Sequence, residues 1–223
     1  MSRRKEGRRD AEDAGFSLIE LIVAMGIFSL LMVIVGALTL SAFGAIRQAN
    51  ERSGIQTESQ NAMEWVSRVL RYADVPPDGT TAIVNASPSA ITVYTYAGTG
   101  DVVDAPYRAS IFAEVQSDGS VAVVSDIVSP ILLDDAWVWT GEPQRRLLLT
   151  LPSDTPASPL GIAYYVCDLA NQCVDPQLFV PSGAGPLLAA DSPLTPAYLV
   201  VSLGDPALPN TVITQTINLV NLA

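Results

Sequence analysis

A chain of 223 residues with 12 basic and 23 acidic side chains carries a net charge of −11, which argues against direct electrostatic binding of nucleic acid. It has no histidine, which removes histidine triads, histidine general bases and histidine-ligated metals, and two cysteines alone are too few for a structural zinc site. A mean hydropathy of +0.32 points instead to a membrane or a large apolar interface.

Residues 1–15 hold Arg3, Arg4, Lys5, Arg8 and Arg9 among Glu6, Asp10, Glu12 and Asp13. Lys5 is the only lysine of the chain, and all 16 prolines lie at or beyond Pro76. A proline-free first third followed by a proline-rich remainder predicts one long helix and then a strand- and loop-rich domain. From Leu21 to Ile46 there are 26 residues without a charge. At ~1.5 Å per residue that is roughly 39 Å of helix, more than the ~30 Å of a bilayer's hydrocarbon core. The basic cluster ahead of it places the N-terminus in the cytoplasm and the residues after Arg47 outside. A cleaved secretory signal has an apolar region of only about 7–15 residues, so the length favours an anchor.

Glu20 stands at the start of this otherwise apolar helix. A carboxylate there costs a few kcal/mol if it stays unpaired in lipid, so a partner is expected. In cis, the only candidate is an amine created at Phe16 by cleavage after Gly15. The bland alternative is a carboxylate favoured by the helix macrodipole.

The stretch Gly15-Phe16-Ser17-Leu18-Ile19-Glu20, with a charged leader before it and an apolar run after it, resembles the type IV prepilin family, pseudopilins included. The resemblance implies that a prepilin peptidase cuts between Gly15 and Phe16 and N-methylates Phe16. It implies that the mature subunit waits in membrane lipid and joins a filament of major and minor pilins or pseudopilins through an inner-membrane assembly platform. Glu20 would then meet the Phe16 ammonium of a neighbouring subunit and set the axial register, a use of buried charge as a specificity device. Many major pilins carry a proline where this chain has Ala37. Gly26, Gly36 and Gly44 are the alternative sources of helix flexibility, or a close-packing face. Ala24–Leu31 resembles minor pilins and minor pseudopilins, and the organisation of the remainder resembles the PilW-like or GspJ-like group.

Past the apolar run, Met63, Val66 and Leu70, and Ala62, Val66, Val69 and Ala73, recur at helical spacing and predict an amphipathic face packed on a sheet, with Trp65 at its flank. Asp74, Pro76-Pro77 and Asp78-Gly79 end the helix. Strands are expected at Ala90–Tyr96, Ala109–Val115, Val121–Ser125, Arg145–Leu151, Ile162–Cys167, Tyr198–Leu203 and Thr211–Val220, with Asp118-Gly119 as a hairpin turn. In the last strand Ile213, Ile217 and Leu219 share a face that Gln215 breaks. Ala184–Pro196 is expected to be a loop. The expected fold is α+β: a long helix packed on an antiparallel sheet, divided into a leader (1–15), a transmembrane or filament-core helix (16–46), an amphipathic helical half (47–74) and an extracytoplasmic head (75–223).

Cys167 and Cys173 lie outside the cytoplasm in this topology and form a candidate disulfide, the alternative being two free thiols. Asp101 with Asp104, and Asp134 with Asp135, are weak Ca²⁺ candidates without an EF-hand pattern, and solvated loop acids are the alternative. No other cofactor is expected. Trp137 and Trp139 alternate on one strand face, as a core edge or a sugar or protein contact. Three classes of function remain in view: a minor pilin or minor pseudopilin that primes or caps a filament, a tip adhesin or DNA-uptake subunit, and a plain signal-anchored β-domain. No catalytic residue is assigned, because a chain without histidine, and without lysine after residue 15, offers little for nucleophilic catalysis.

Overall fold

In the computed structural model, residues 17–97, 105–152, 158–168, 175–181, 185, 187–188 and 194–219 are described. The chain divides into two compact units, Met1–Asn50 and Glu51–Ala223. One helix, α1 (Leu18–Arg71), occupies the proline-free part. Its residues from Leu18 to Ile46 are exposed, whereas Ser59, Ala62, Met63, Val66, Ser67, Val69 and Leu70 are buried. The helix stops two residues short of the expected Ala73, because Ala73 is taken by a β-bridge to Thr95. Asp74 N–H donates to Tyr94 O at 3.0 Å and Tyr96 N–H to Tyr72 O at 3.0 Å, while Thr95 Oγ1 donates to Val69 O at 2.7 Å. A helix leaves its last four carbonyls without internal partners, and here the strand residue Thr95 supplies a donor to one of them, Val69 O.

The second unit carries β1 (Ile83–Ser87), β2 (Ala90–Thr95), β3 (Tyr107–Val115), β4 (Val121–Val128), β5 (Ile131–Leu133), β6 (Ala136–Val138), β7 (Gln144–Leu151), β8 (Leu160–Asp168), β9 (Gln177–Phe179), β10 (Leu194–Leu203) and β11 (Ile213–Asn218). All pairings are antiparallel. The α+β class is therefore as expected, with the strands divided between a five-stranded sheet, β1-β2-β3-β4-β7, a four-stranded sheet, β11-β10-β8-β9, and the β5–β6 hairpin. Asp118-Gly119 does form the β3–β4 turn, with Gly119 at φ +85°. Ser120 donates its hydroxyl and its N–H to Asp118 Oδ1 at 2.6 and 2.9 Å, which holds that carboxyl below the usual carboxylate range.

Several sequence expectations are corrected in this unit. Leu194–Pro196, expected in a loop, belongs to β10, and Leu187 from the same stretch is buried. The last strand starts at Ile213, because Pro209–Thr211 winds into a 3-10 turn. Gly204 lies against the end of that turn at φ +141°, where an added Cβ would lie 2.5 Å from Thr211 O. Only glycine fits there without strain.

A single core joins the buried helix face to both sheets: Val66, Val69 and Leu70 of α1 meet Ile91, Val93, Ile111 and Leu149 of one sheet and Leu160, Tyr164, Leu199 and Ile217 of the other. Gln215, which breaks the apolar pattern of β11, accepts a hydrogen bond from Ser67 Oγ on the helix. The break is thus a matched polar pair, which satisfies a buried hydroxyl. Trp65 does flank the core, under the Arg146 guanidinium at 4.2 Å from its ring centroid.

Candidate functional site

Gly15 and Phe16 lie outside the described residues. Ser17 O accepts the first helical hydrogen bond, from Leu21 N at 3.2 Å, so Ser17 occupies the N-cap place and Glu20 the third helical position. Ser-x-x-Glu is the spacing of a capping box, a signal in the residues themselves that the sequence reading did not use. A carboxylate at this position also faces the positive end of the helix dipole.

Beyond Glu20 the helix exposes an unbroken apolar surface, with Ile22, Met25, Phe28, Leu31, Ile34, Leu38 and Phe43 among its exposed large side chains. Two of its hydroxyls are satisfied within the helix: Ser29 Oγ donates to Met25 O and Thr39 Oγ1 to Val35 O, each at 2.8 Å. This back-bonding removes the cost of carrying polar groups in an apolar medium. Cβ atoms added at Gly26, Gly36 or Gly44 would meet nothing within 4 Å, so these positions are open to close approach by another chain. Among the described residues, this is the one helix long and apolar enough to cross a membrane, by length and composition. Such an exposed surface requires lipid or other helices around it.

The chain's resemblances converge on this segment. Residues 12–36 match the family model of the prokaryotic N-terminal methylation motif. The match supports a type IV prepilin-like chain, a pilin- or pseudopilin-like subunit of a structural rather than an enzymatic family, with a membrane-anchored N-terminal helix. No curated protein and no solved structure matches it.

The other candidate residues of this prepilin-like chain scatter over the second unit. Cys167 is buried near the end of β8, and Cys173 lies outside the described residues, as do Asp101 and Asp104. Asp134 and Asp135 are exposed and have φ of 49° and 63°. They are the two-residue loop between the paired Leu133 and Ala136, the backbone signature of a type I′ turn. Their adjacency therefore has a turn-forming cause, in keeping with exposed loop acids, the alternative to a calcium ligand pair. Among the described residues no group of three or more His, Cys, Asp or Glu is placed to hold a metal. Trp139 is buried, donates Nε1–H to Pro106 O at 2.8 Å and packs with Tyr94 at 4.5 Å between ring centroids. Trp137 packs on the same small cluster, so the tryptophan pair forms a core edge.

Proposed function

We propose that the chain is a minor pilin or minor pseudopilin, a structural subunit of a type IV pilus or type II secretion pseudopilus that acts in filament assembly, priming or capping. The reading is carried by the coincidence of the methylation motif at residues 12–36 with an exposed apolar helix that starts just after the cleavage position. In this reading, prepilin peptidase cuts between Gly15 and Phe16 and methylates Phe16. Residues 16–46 anchor the subunit in the inner membrane, with the N-terminus in the cytoplasm and the head outside. The assembly platform then draws the helix among those of other pilins or pseudopilins. Glu20 meets the Phe16 ammonium of a neighbour, and that pairing fixes the axial step. Cys167 and Cys173 form a disulfide in the oxidising exterior. The open glycine positions and the absence of a helix-kinking proline at Ala37 fit a subunit whose helix packs straight against others.

The test is intact mass and N-terminal fragmentation of the membrane-extracted protein, with and without active prepilin peptidase. A chain that begins at N-methylated Phe16 only when the peptidase is active is the expected result. A chain that still begins at Met1 or Ser2 beside an active peptidase sinks the reading.

A further inference from the structure

A free sheet edge presents unpaired backbone groups, and proteins blunt such edges with charge, bulges, short strands or covering segments. Three of the four edges of the two main sheets are treated in this way. At β1 the register shifts between Ile83 and Asn85, and Gly185 O accepts from Ala86 N while Gly185 N donates to Asn85 Oδ1, each at 2.9 Å. The β7 edge carries Arg145 and Arg146 side by side and lies beside a register shift. The β9 edge is three residues long.

The β11 edge has none of these devices. It pairs with β10 over six consecutive residues without a register shift, and its sequence Ile-Thr-Gln-Thr-Ile-Asn has no charge, proline or glycine. Leu219 N donates to Ala197 O at 3.4 Å, which sets the alternation of the ladder. Residues 213, 215 and 217 then bond to β10, and Thr214, Thr216 and Asn218 turn their N–H and C=O groups to the free side. All three are exposed, and among the described residues no backbone group pairs with that side.

Alongside this edge runs a groove of 530 Å³, lined by Met63, Ser67, Arg68 and Arg71 of α1 and by Ile213 and Gln215 of β11. Arg68 and Arg71 face it together with one acid, Glu64, which pairs with Arg68 at 3.1 Å. The groove is therefore cationic, although the chain is strongly acidic. A strand added to β11 turns every second side chain toward this groove, because strand side chains alternate between faces.

We infer that β11 and the groove beside it form a strand-addition site for an extended segment of another protein that carries carboxylate side chains at alternate positions. Backbone hydrogen bonds to Thr214, Thr216 and Asn218 supply general affinity, and Arg68 and Arg71 select acidic side chains in the groove. A second copy of this chain joined through β11 is the poorer fit, since Ile-Thr-Gln-Thr-Ile-Asn brings no acid to those arginines. The inference is independent of the pilin reading.

The test uses the full chain in detergent micelles and a fluorescein-labelled octapeptide of alternating aspartate and valine, with a lysine-for-aspartate peptide as the control. Anisotropy reports binding, and residue-resolved hydrogen exchange reports where it occurs. The acidic peptide is expected to bind in preference to the lysine peptide and, at saturation, to slow exchange at Thr214, Thr216 and Asn218 at least tenfold. Arg71→Glu is expected to weaken it about fivefold, the scale of an exposed ion pair. Thr216→Pro removes a donor on the free side and should abolish the protection; Arg71→Glu serves as the test if that variant does not fold. Equal binding of both peptides, or no slowing at those amides, overturns the inference. Protection that arises without peptide and grows with protein concentration overturns it in favour of a second copy.

Discussion

Tyr164 lies in β8, and its phenol donates to Ser87 O at 2.8 Å and accepts from Ser87 N at 3.1 Å, so one side chain stitches the four-stranded sheet to the end of β1. Tyr164→Phe keeps the ring's packing and removes these bonds, together with a longer one to Ala90 O at 3.2 Å. It is expected to lower unfolding free energy by about 1–2 kcal/mol in denaturant titration. Burial pushes the Tyr164 phenol above its ordinary ionisation range. A raised folded value means that its stabilising contribution is complete below the unfolded pKa of about 10 and is lost as pH rises further. The unfolding midpoint should therefore fall more steeply above pH ~10 in the parent chain than in Tyr164→Phe. Tyr94, also raised by burial and then by nearby Asp78, leaves a residual slope of the same sign. Nothing in the sequence around Tyr164 announces this role. The alternation of β8 identifies it as a core residue, but its hydrogen-bond partners Ser87 and Ala90 are 77 and 74 positions away.

At the scale of elements, legibility followed length and period. The apolar run and the Met63–Val66–Leu70 spacing made α1 readable to within two residues of its end, because a period of 3.6 sustained over many turns leaves few alternatives. The six- to ten-residue strands were visible for the same reason. The three-residue strands β5, β6 and β9 were not, since three residues cannot establish an alternation, and β1 hid behind Asn85, a poor strand former. Asp134-Asp135 reads in the sequence as a carboxylate pair, whereas its backbone angles are those of a hairpin turn. Asp at φ above zero tolerates the left-handed region less well than glycine. Asp135→Gly is therefore expected to stabilise the second unit by about 0.5 kcal/mol, seen as a higher denaturant midpoint with an unchanged slope. A fall in the midpoint would mean that the side chain, and not the backbone angle, holds the turn.

For the whole molecule, the core shows which part of the helix the second unit needs. Ala62, Met63, Val66, Val69 and Leu70 belong to the same buried cluster as residues of both sheets. A fragment that begins at Glu51 keeps them and is expected to unfold cooperatively. A fragment that begins after Arg71 loses five core side chains and opens the helix-facing side of both sheets to water. At roughly 2–5 kcal/mol for each large buried aliphatic removed, that exceeds the stability of an ordinary domain. Circular dichroism melts of the two fragments check this, and a cooperative melt of the shorter one would show that the sheets stand without the helix. The sequence makes this dependence legible, because the Met63, Val66 and Leu70 spacing marks a helix face that needs a sheet to cover it, and those side chains do lie in the core.

The junction at the end of α1 also has a mechanical meaning. Thr95 Oγ1 to Val69 O, Tyr96 N to Tyr72 O and Asp74 N to Tyr94 O tie the last turn of the helix and the residues after it to the end of β2. β2 lies between β1 and β3 in the five-stranded sheet. Tension that arrives along the last turns of α1 is passed through this clasp into an interior strand held on both sides. It is carried by several ladders at once instead of peeling an edge.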